Sequence, residues 1–306
     1  MKLISIFALL ILLLKLNSFA AAPYAVILGI AQDAGIPQMG CETPFCRRAR
    51  SNPKLRQMVA SIALVDPDSG GRWIFDATPD LPLQFDLLKD ITRDRSNNLT
   101  GIFLTHAHIG HYTGLMYLGR EAMNTRLIPV YAMPLMAEML RQNAPWSQLA
   151  GIGNIELHLL RADSDESLNE RIKVRPFLVP HRDEFSETVG YKISSSTKSL
   201  IYIPDIDKWS KWPTPLAEMV KSSDYVLIDG TFFADGEIPR PMSEVPHPFI
   251  TETMALLADL PKAERSKVRF IHLNHSNPIV QGNRKLLEEL RKQGFRVGHT
   301  GERLQL

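Results

Sequence analysis

The chain has 306 residues, 44% of them hydrophobic and 22% charged, which is ample for a large buried core and places it among globular proteins. A formal net charge of +2 gives no electrostatic case for nucleic acid or an acidic membrane surface as a general partner.

At the N-terminus, Lys2 precedes an apolar run from Leu3 to Leu14, followed by Lys15 and then Ser18-Phe19-Ala20-Ala21-Ala22. That order is the one a secretory signal peptide takes, and the apolar run is short against the ~20 residues a membrane span needs. Residues 1–22 are therefore expected to be a signal peptide cleaved near Ala20 or Ala22, the alternative being an uncleaved anchor. Residues 23–306 are expected to form one secreted or periplasmic domain with no stable membrane span. Cys41 and Cys46, the two cysteines of the chain, read as a disulfide in an oxidising compartment or as half of a metal clip.

Tyr24 to Ile30 reads as a first buried strand running into the Gly/Pro-punctuated loop AQDAGIPQMGC. Ser61 to Asp66 and Arg72 to Asp76 form a hairpin, and Leu81 to Asp94 has apolar residues at helical spacing. Leu99 to Leu104, Ile128 to Ala132, Ile155 to Leu160, Ile172 to Val179 and Val189 to Ser194 are further strands. Leu200 to Ile203, Tyr225 to Ile228 and Val268 to Leu273 each end in a polar cluster. Helices are expected over Leu115 to Met123, Leu135 to Gln142, Pro215 to Lys221, Thr251 to Asp259 and Lys285 to Gln293. Strands alternating with helices predict a layered α/β protein, whose sites gather just after the strands.

The stretch GIFLTHAHIGHYTGL, Gly101 to Leu115, carries three of the nine histidines within six positions: His106, His108 and His111. Neutral imidazole is the commonest protein ligand for zinc and similar metals, so a metal site is the first functional expectation.

His106-x-His108-x-x-His111 after a strand, His181 in VPHRDE, Asp205 in IYIPDID and His272 in FIHLNH stand in an order that resembles the metallo-β-lactamase superfamily. The resemblance implies a four-layer αββα sandwich, one metal on His106, His108 and His181, and a second on His111 and His272 with Asp205 bridging. The superfamily has Asp immediately before the third histidine of the motif; here the residue is Gly110, so the second position loses an anionic ligand. Asp76 and Asp229 are potential substitutes, or partners that orient imidazoles. The flanking segments SIALVDPDSGGRWIFDATPDLPLQF, YVLIDGTFFADGEI and FIHLNHSNPIV resemble the coenzyme PQQ synthesis protein B branch of the superfamily. The stretch CETPFCRRAR is similar to a zinc-binding cysteine loop of that branch and of related phosphodiesterases, with Thr43 where the middle cysteine stands. By that likeness Cys41, Cys46 and His275 are a structural zinc set or, for the cysteines, a disulfide.

Three imidazoles on a metal leave a position for water and lower its pKa to about 7. The expected activity is thus an exported metal-dependent hydrolase acting on a small ester, lactone or phosphodiester, with Asp205 orienting the nucleophile and accepting its proton. Arg182 is a candidate for contacting an anionic substrate. Zinc is the expected cofactor, one or two ions, with manganese or iron as alternatives. Histidine and carboxylate also suit non-heme iron, so an iron-dependent oxygenase like the PQQ branch is an alternative activity, and a catalytically silent binding or carrier protein a third. Substrate specificity is expected in the loops Ser164 to Asn169, Lys208 to Pro215 and Phe232 to Pro248. His247 reads as part of a Pro-flanked turn, the alternative being a residue lining the substrate pocket, and Asp76 and Asp80 read as braces of a strand-to-helix turn. Substrate identity and oligomeric state are open at this level.

Overall fold

Strands buried on both faces set the architecture. The structure, a computed structural model, describes residues 21–306, so the expected leader falls outside it except for Ala21 and Ala22. β1 (Tyr24–Gly29), β2 (Ser61–Asp66), β3 (Gly71–Phe75), β4 (Gly101–Phe103), β5 (Ile128–Ala132) and β6 (Ile155–Leu159) form one sheet. β7 (Glu166–Ser167), β8 (Lys173–Leu178), β9 (Val189–Ser194), β10 (Ser199–Ile203), β11 (Tyr225–Asp229), β12 (Val268–Ile271) and β13 (Arg296–Val297) form the second. β14 (Arg303–Gln305) returns to pair with β1, giving the orders β14-β1-β2-β3-β4-β5-β6 and β13-β12-β11-β10-β9-β8-β7.

Alternation along β1 shows how the layers arise. Ala25 and Ile27 point into the core between the sheets, where they join Phe75, Phe103, Tyr191 and Phe270. Val26 and Leu28 point outward and are covered by helix residues Leu81, Phe85, Leu88, Met136 and Leu140. A strand covered on both sides has to be apolar at nearly every position, which is why these segments read as continuous runs. The helices are α1 (Pro44–Ser51), α2 (Leu81–Thr92), α3 (Ile109–Tyr112), α4 (Pro134–Gln142), α5 (Trp146–Gly151), α6 (Leu216–Lys221), α7 (Ile250–Leu256), α8 (Lys262–Arg265) and α9 (Arg284–Lys292). Leu216, Val220, Met254, Leu257 and Leu290 cover the second sheet. Two mixed sheets between helical layers make the expected αββα sandwich.

Two local expectations change. The helix expected over Leu115 to Met123 is a 3₁₀ segment, Thr113–Leu118, which ends where Gly119 turns extended and its N–H bonds back to Met116. α1, read as a loop, has the signals of a helix start: Pro44 in the first turn and the Thr43 hydroxyl accepting from the Cys46 N–H.

The topology decides where function gathers. β3, β4 and β5 run parallel, as do β10, β11 and β12, so the loops leaving β3 and β4 lie side by side, and so do those leaving β10, β11 and β12. Val189 N–H bonds to the Thr105 carbonyl and Ala107 N–H to Ser186 Oγ, joining the two sheets at this end.

Candidate metal centre

The loop after β4 delivers His106, His108 and His111, the loop after β8 His181, the loop after β10 Asp205, and the end of β12 His272. All six expected residues converge. His106 Nε2 lies 2.9 Å from His108 Nδ1, which is 3.2 Å from His181 Nε2. Asp205 Oδ2 is 3.3 Å from His106 Nε2, 3.2 Å from His181 Nε2 and 3.9 Å from His108 Nδ1. The same Asp205 oxygen is 3.9 Å from both His111 Nε2 and His272 Nε2. It therefore stands between two donor groups, as a shared carboxylate would.

Four of the five rings have a partner on the outer nitrogen; His181 Nδ1 has none among the described residues. Thr105 Oγ sits 2.9 Å from His106 Nδ1 and donates to the Asp76 carboxylate. His111 Nδ1 lies 2.8 Å from Asp76 Oδ2, and His272 Nδ1 is 2.9 Å from Thr231 Oγ, which donates to Asp229 Oδ1. Glu184 faces His108 Nε2 at 3.3 Å. Asp76 and Asp229 thus act as imidazole-orienting partners; neither replaces a ligand at Gly110. Asp76 and His272 both have left-handed backbone angles, φ 69° and 61°, a strain of ~1–3 kcal/mol each that is typical of sites held in place by their surroundings.

The donor set fits a divalent ion. Tetrahedral zinc bonds of 2.0–2.1 Å place neighbouring ligand atoms about 3.3 Å apart, the spacing found around Asp205 Oδ2. Asp33 Oδ1, His111 Nε2 and His272 Nε2, all facing the centre, are buried atoms without a hydrogen-bond partner among the described residues. Such orphaned groups are costly unless something compensates them. Burial, with His111 nearby, keeps the His106 imidazole well below its usual pKa, leaving it neutral as a ligand must be. Burial opposes charge on Asp205, but His181, His247 and His272 hold its carboxyl well below the usual range. Burial likewise opposes protonation of His111, yet Asp76 and Asp33 raise it well above its ordinary value. These carboxylates call for positive charge, which a divalent ion supplies in place of a proton.

One residue of the site, Asp33, escapes the sequence reading, and another, His247, reads there first as a turn residue and only second as lining a pocket. His247, expected in a turn, is buried, with Nδ1 2.8 Å from Asp229 Oδ2 and 3.2 Å from Asp205 Oδ1. Burial would lower its pKa, but Asp229 and Asp205 push it up to about 10, so the ring is an imidazolium at neutral pH. Asp33, from the loop after β1, reaches 3.2 Å from His111 Nε2. Neither has a spacing signal in the chain.

A cavity of about 580 Å³ meets this centre at Asp33 and His247, and Arg182, Phe232, Arg240 and Glu244 are among its other lining residues. The expected loop Phe232 to Pro248 forms its wall, folded on a small core of Phe232, Met242 and Val245. The other two expected loops are elsewhere. Lys211 to Thr214 line a separate cavity of about 780 Å³, held by Trp212 Nε1 donating to the Leu178 carbonyl. Asn169 bonds Asp66 at the opposite end of β2. Cys41 and Cys46 are joined as a disulfide, Cα atoms 6.0 Å apart, and the ring of His275 offers a third donor within 4.8 Å. No helix among the described residues is long and apolar enough to cross a membrane.

The coenzyme PQQ synthesis protein B of Methylobacterium nodulans is 28% identical over 316 aligned residues, covering 92% of this chain and 99% of that protein. Zn(2+)-bound PqqB from Methylobacterium extorquens superposes with a TM-score of 0.77 at 22% identity, over 92% of this chain and all of that one. A diphosphatase from the PhnP family superposes at 0.65 with 21% identity, over 93% of this chain and 97% of that one. The profile of the β-lactamase superfamily domain matches residues 72–273, from β3 through the loop that follows His272; with the αββα sandwich and the convergent histidines, the chain belongs to the β-lactamase superfamily.

Proposed function

We propose that this protein is a metal-dependent hydrolase whose substrate is a small anionic ester, a phosphodiester before a lactone or a neutral ester. The observation that carries the reading is the convergence of donor atoms of His106, His108, His181 and Asp205 within 4.8 Å of one another, next to a cavity lined by His247 and Asp33. A divalent ion held there supplies a water of pKa about 7 and polarises the electrophilic oxygen. Asp205, whose Oδ2 stands among the donors, would orient that water. His247 lines the cavity with Nδ1 engaged by Asp229 and Asp205, and is the proton donor proposed for the leaving group. Arg182, Arg240 and His247 line the same cavity, against the carboxylates Asp33 and Glu244; with a divalent ion held beside it the balance is positive, which supports an anionic substrate. The diphosphatase of similar fold agrees with that chemistry.

A second reading is a PQQ synthesis protein B-like role, which the end-to-end similarity supports, as an iron-dependent oxygenase, for which the support is a His/carboxylate donor set that also suits iron. Metal analysis of the purified protein separates the two. Zinc or manganese with hydrolysis of bis(4-nitrophenyl) phosphate supports the first; iron with oxygen uptake supports the second. Bound metal with neither activity, or no bound metal, overturns both. His106→Ala should lose metal, and full occupancy in that variant would disprove the ligand assignment.

Export is part of the proposal and rests on the order of residues in the leader. Cleavage after Ala20 would place the new ammonium of Ala21 2.9 Å from Asp68 Oδ1, a favourable pairing that cleavage after Ala22 would remove.

A further inference from the structure

The motif of this superfamily lacks its carboxylate at Gly110, and the structure shows what occupies that space. A Cβ added to Gly110 would fall 2.5 Å from the Asp33 Cα and 2.9 Å from its Cβ, with Oδ1 closer still. No side chain at position 110 is compatible with Asp33 where it stands. The Asp33 carboxylate points at the same donors that an aspartate at 110 would serve. Its Oδ1 is 3.2 Å from His111 Nε2 and 3.7 Å from His272 Nε2, and all three atoms are buried without a hydrogen-bond partner among the described residues. His111 and His272 are themselves fully buried, and their outer nitrogens are committed to Asp76 and Thr231. Two imidazole lone pairs and a carboxylate oxygen directed at one point, with Asp205 Oδ2 3.9 Å from each ring, are a set of cation ligands.

The loop carrying Asp33 is anchored well enough to hold a ligand. At the end of β1, Gly29 passes tightly by Met58, whose carbonyl oxygen would sit 2.6 Å from an added Cβ. Ile30 and Ala31 N–H both bond that carbonyl, and Gln32 N–H bonds the Leu273 carbonyl at 3.0 Å. The Asn274 side-chain amide donates to Gln32 Oε1. Asp33 and His272 therefore ride on two segments stitched to each other, so their separation is set by backbone pairing.

We propose that Asp33 is the anionic ligand of a second metal position, completing with His111, His272 and the shared Asp205 a site that Gly110 would otherwise leave open. The centre is then a two-metal one with its carboxylate supplied from the β1 loop. The inference rests on the metal-centre reading above and concerns stoichiometry, so hydrolysis is not needed to test it.

The test is metal content of the full chain, stripped and reloaded with zinc, with a titration of each equivalent. Wild type should bind two ions. Asp33→Asn, which keeps the shape and an acceptor oxygen but removes the charge, should keep the first ion at wild-type affinity. The second should weaken by more than the ~10–100-fold that loss of an outer hydrogen-bonded partner costs. Asp33→Ala should bind one ion only, with circular dichroism establishing that both variants are folded. If wild type binds one ion, or if folded Asp33→Ala and Asp33→Asn bind two at unchanged affinity, Asp33 is not a ligand. If wild type binds none, the metal-centre reading itself fails, and this inference with it.

Discussion

His111 Nδ1 lies 2.8 Å from Asp76 Oδ2, both side chains wholly buried, and this contact decides which nitrogen of the ring faces the centre. With the proton held on Nδ1, the Nε2 lone pair is free for a ligand role. Asp76→Asn retains an oxygen for the Thr105 N–H, which Asp76 Oδ1 accepts at 2.8 Å. Its amide would then donate toward His111 Nδ1, moving the imidazole proton to Nε2. Affinity for the ion bound by His111 should fall ~10–100-fold while the fold survives. Zinc titration with circular dichroism as control reads both, and unchanged affinity would show that Asp76 does not set the tautomer.

The His247 imidazolium should matter in proportion to how poor the leaving group is. His247→Gln should cut kcat on an alkyl phosphodiester by ~10²–10⁴ and change much less on a 4-nitrophenyl ester, whose leaving group departs without a proton. Equal losses on both substrates would assign His247 a structural role.

Gly114 sits where a side chain has no room: an added Cβ would meet the Ala77 carbonyl and Leu81 Cβ at 2.9 Å, and the Thr78 carbonyl nearer still. Its N–H bonds the Ala77 carbonyl, which locks the histidine loop against the turn that carries Asp76. Gly114→Ala should displace that loop and reduce zinc content. Gly151→Ala, in α5 with nothing within 4 Å of the new carbon, should leave zinc content unchanged and slightly raise the unfolding midpoint. Matching behaviour of the two variants would contradict the packing argument.

Burial pushes the Asp80 carboxyl above its usual range, against the hydrogen bond it accepts from Val59 N–H at 2.8 Å. The folded state thus binds this proton more tightly than the unfolded chain. Its contribution to stability is fully present below the unfolded value of about 3.9 and is lost as pH rises through the raised folded value. Asp80→Asn keeps an acceptor for Val59 and cannot ionise. It should flatten the acid side of a urea-midpoint-against-pH curve and be at least as stable as wild type at pH 7. A variant less stable than wild type at pH 7 would mean that the ionised carboxylate is the favoured form.

Expression in a bacterial host with an intact export system should give a mature chain beginning at Ala21. The intact mass of the periplasmic or secreted protein reads this directly, and a full-length chain retained with the cells would refute cleavage.

The order of apolar strands, the histidine motif and the three distant candidate residues His181, Asp205 and His272 that converge on it were legible in the chain. Both kinds of signal are local: strands covered on both faces write continuous apolar runs, and ligands after strand ends keep a fixed order along the sequence. The family and the sandwich follow from those. Asp33 and the pairing of His247 with two carboxylates were not legible, because each reaches the centre from a loop whose path depends on contacts with residues far away in sequence. Gln32 pairs with Leu273, and His247 with Asp229 and Asp205. The same holds for Gly110. Read along the chain it is a missing carboxylate; only the tertiary structure shows that another segment fills the space, because side-chain volume and charge are balanced between neighbours in space, whatever their distance in sequence.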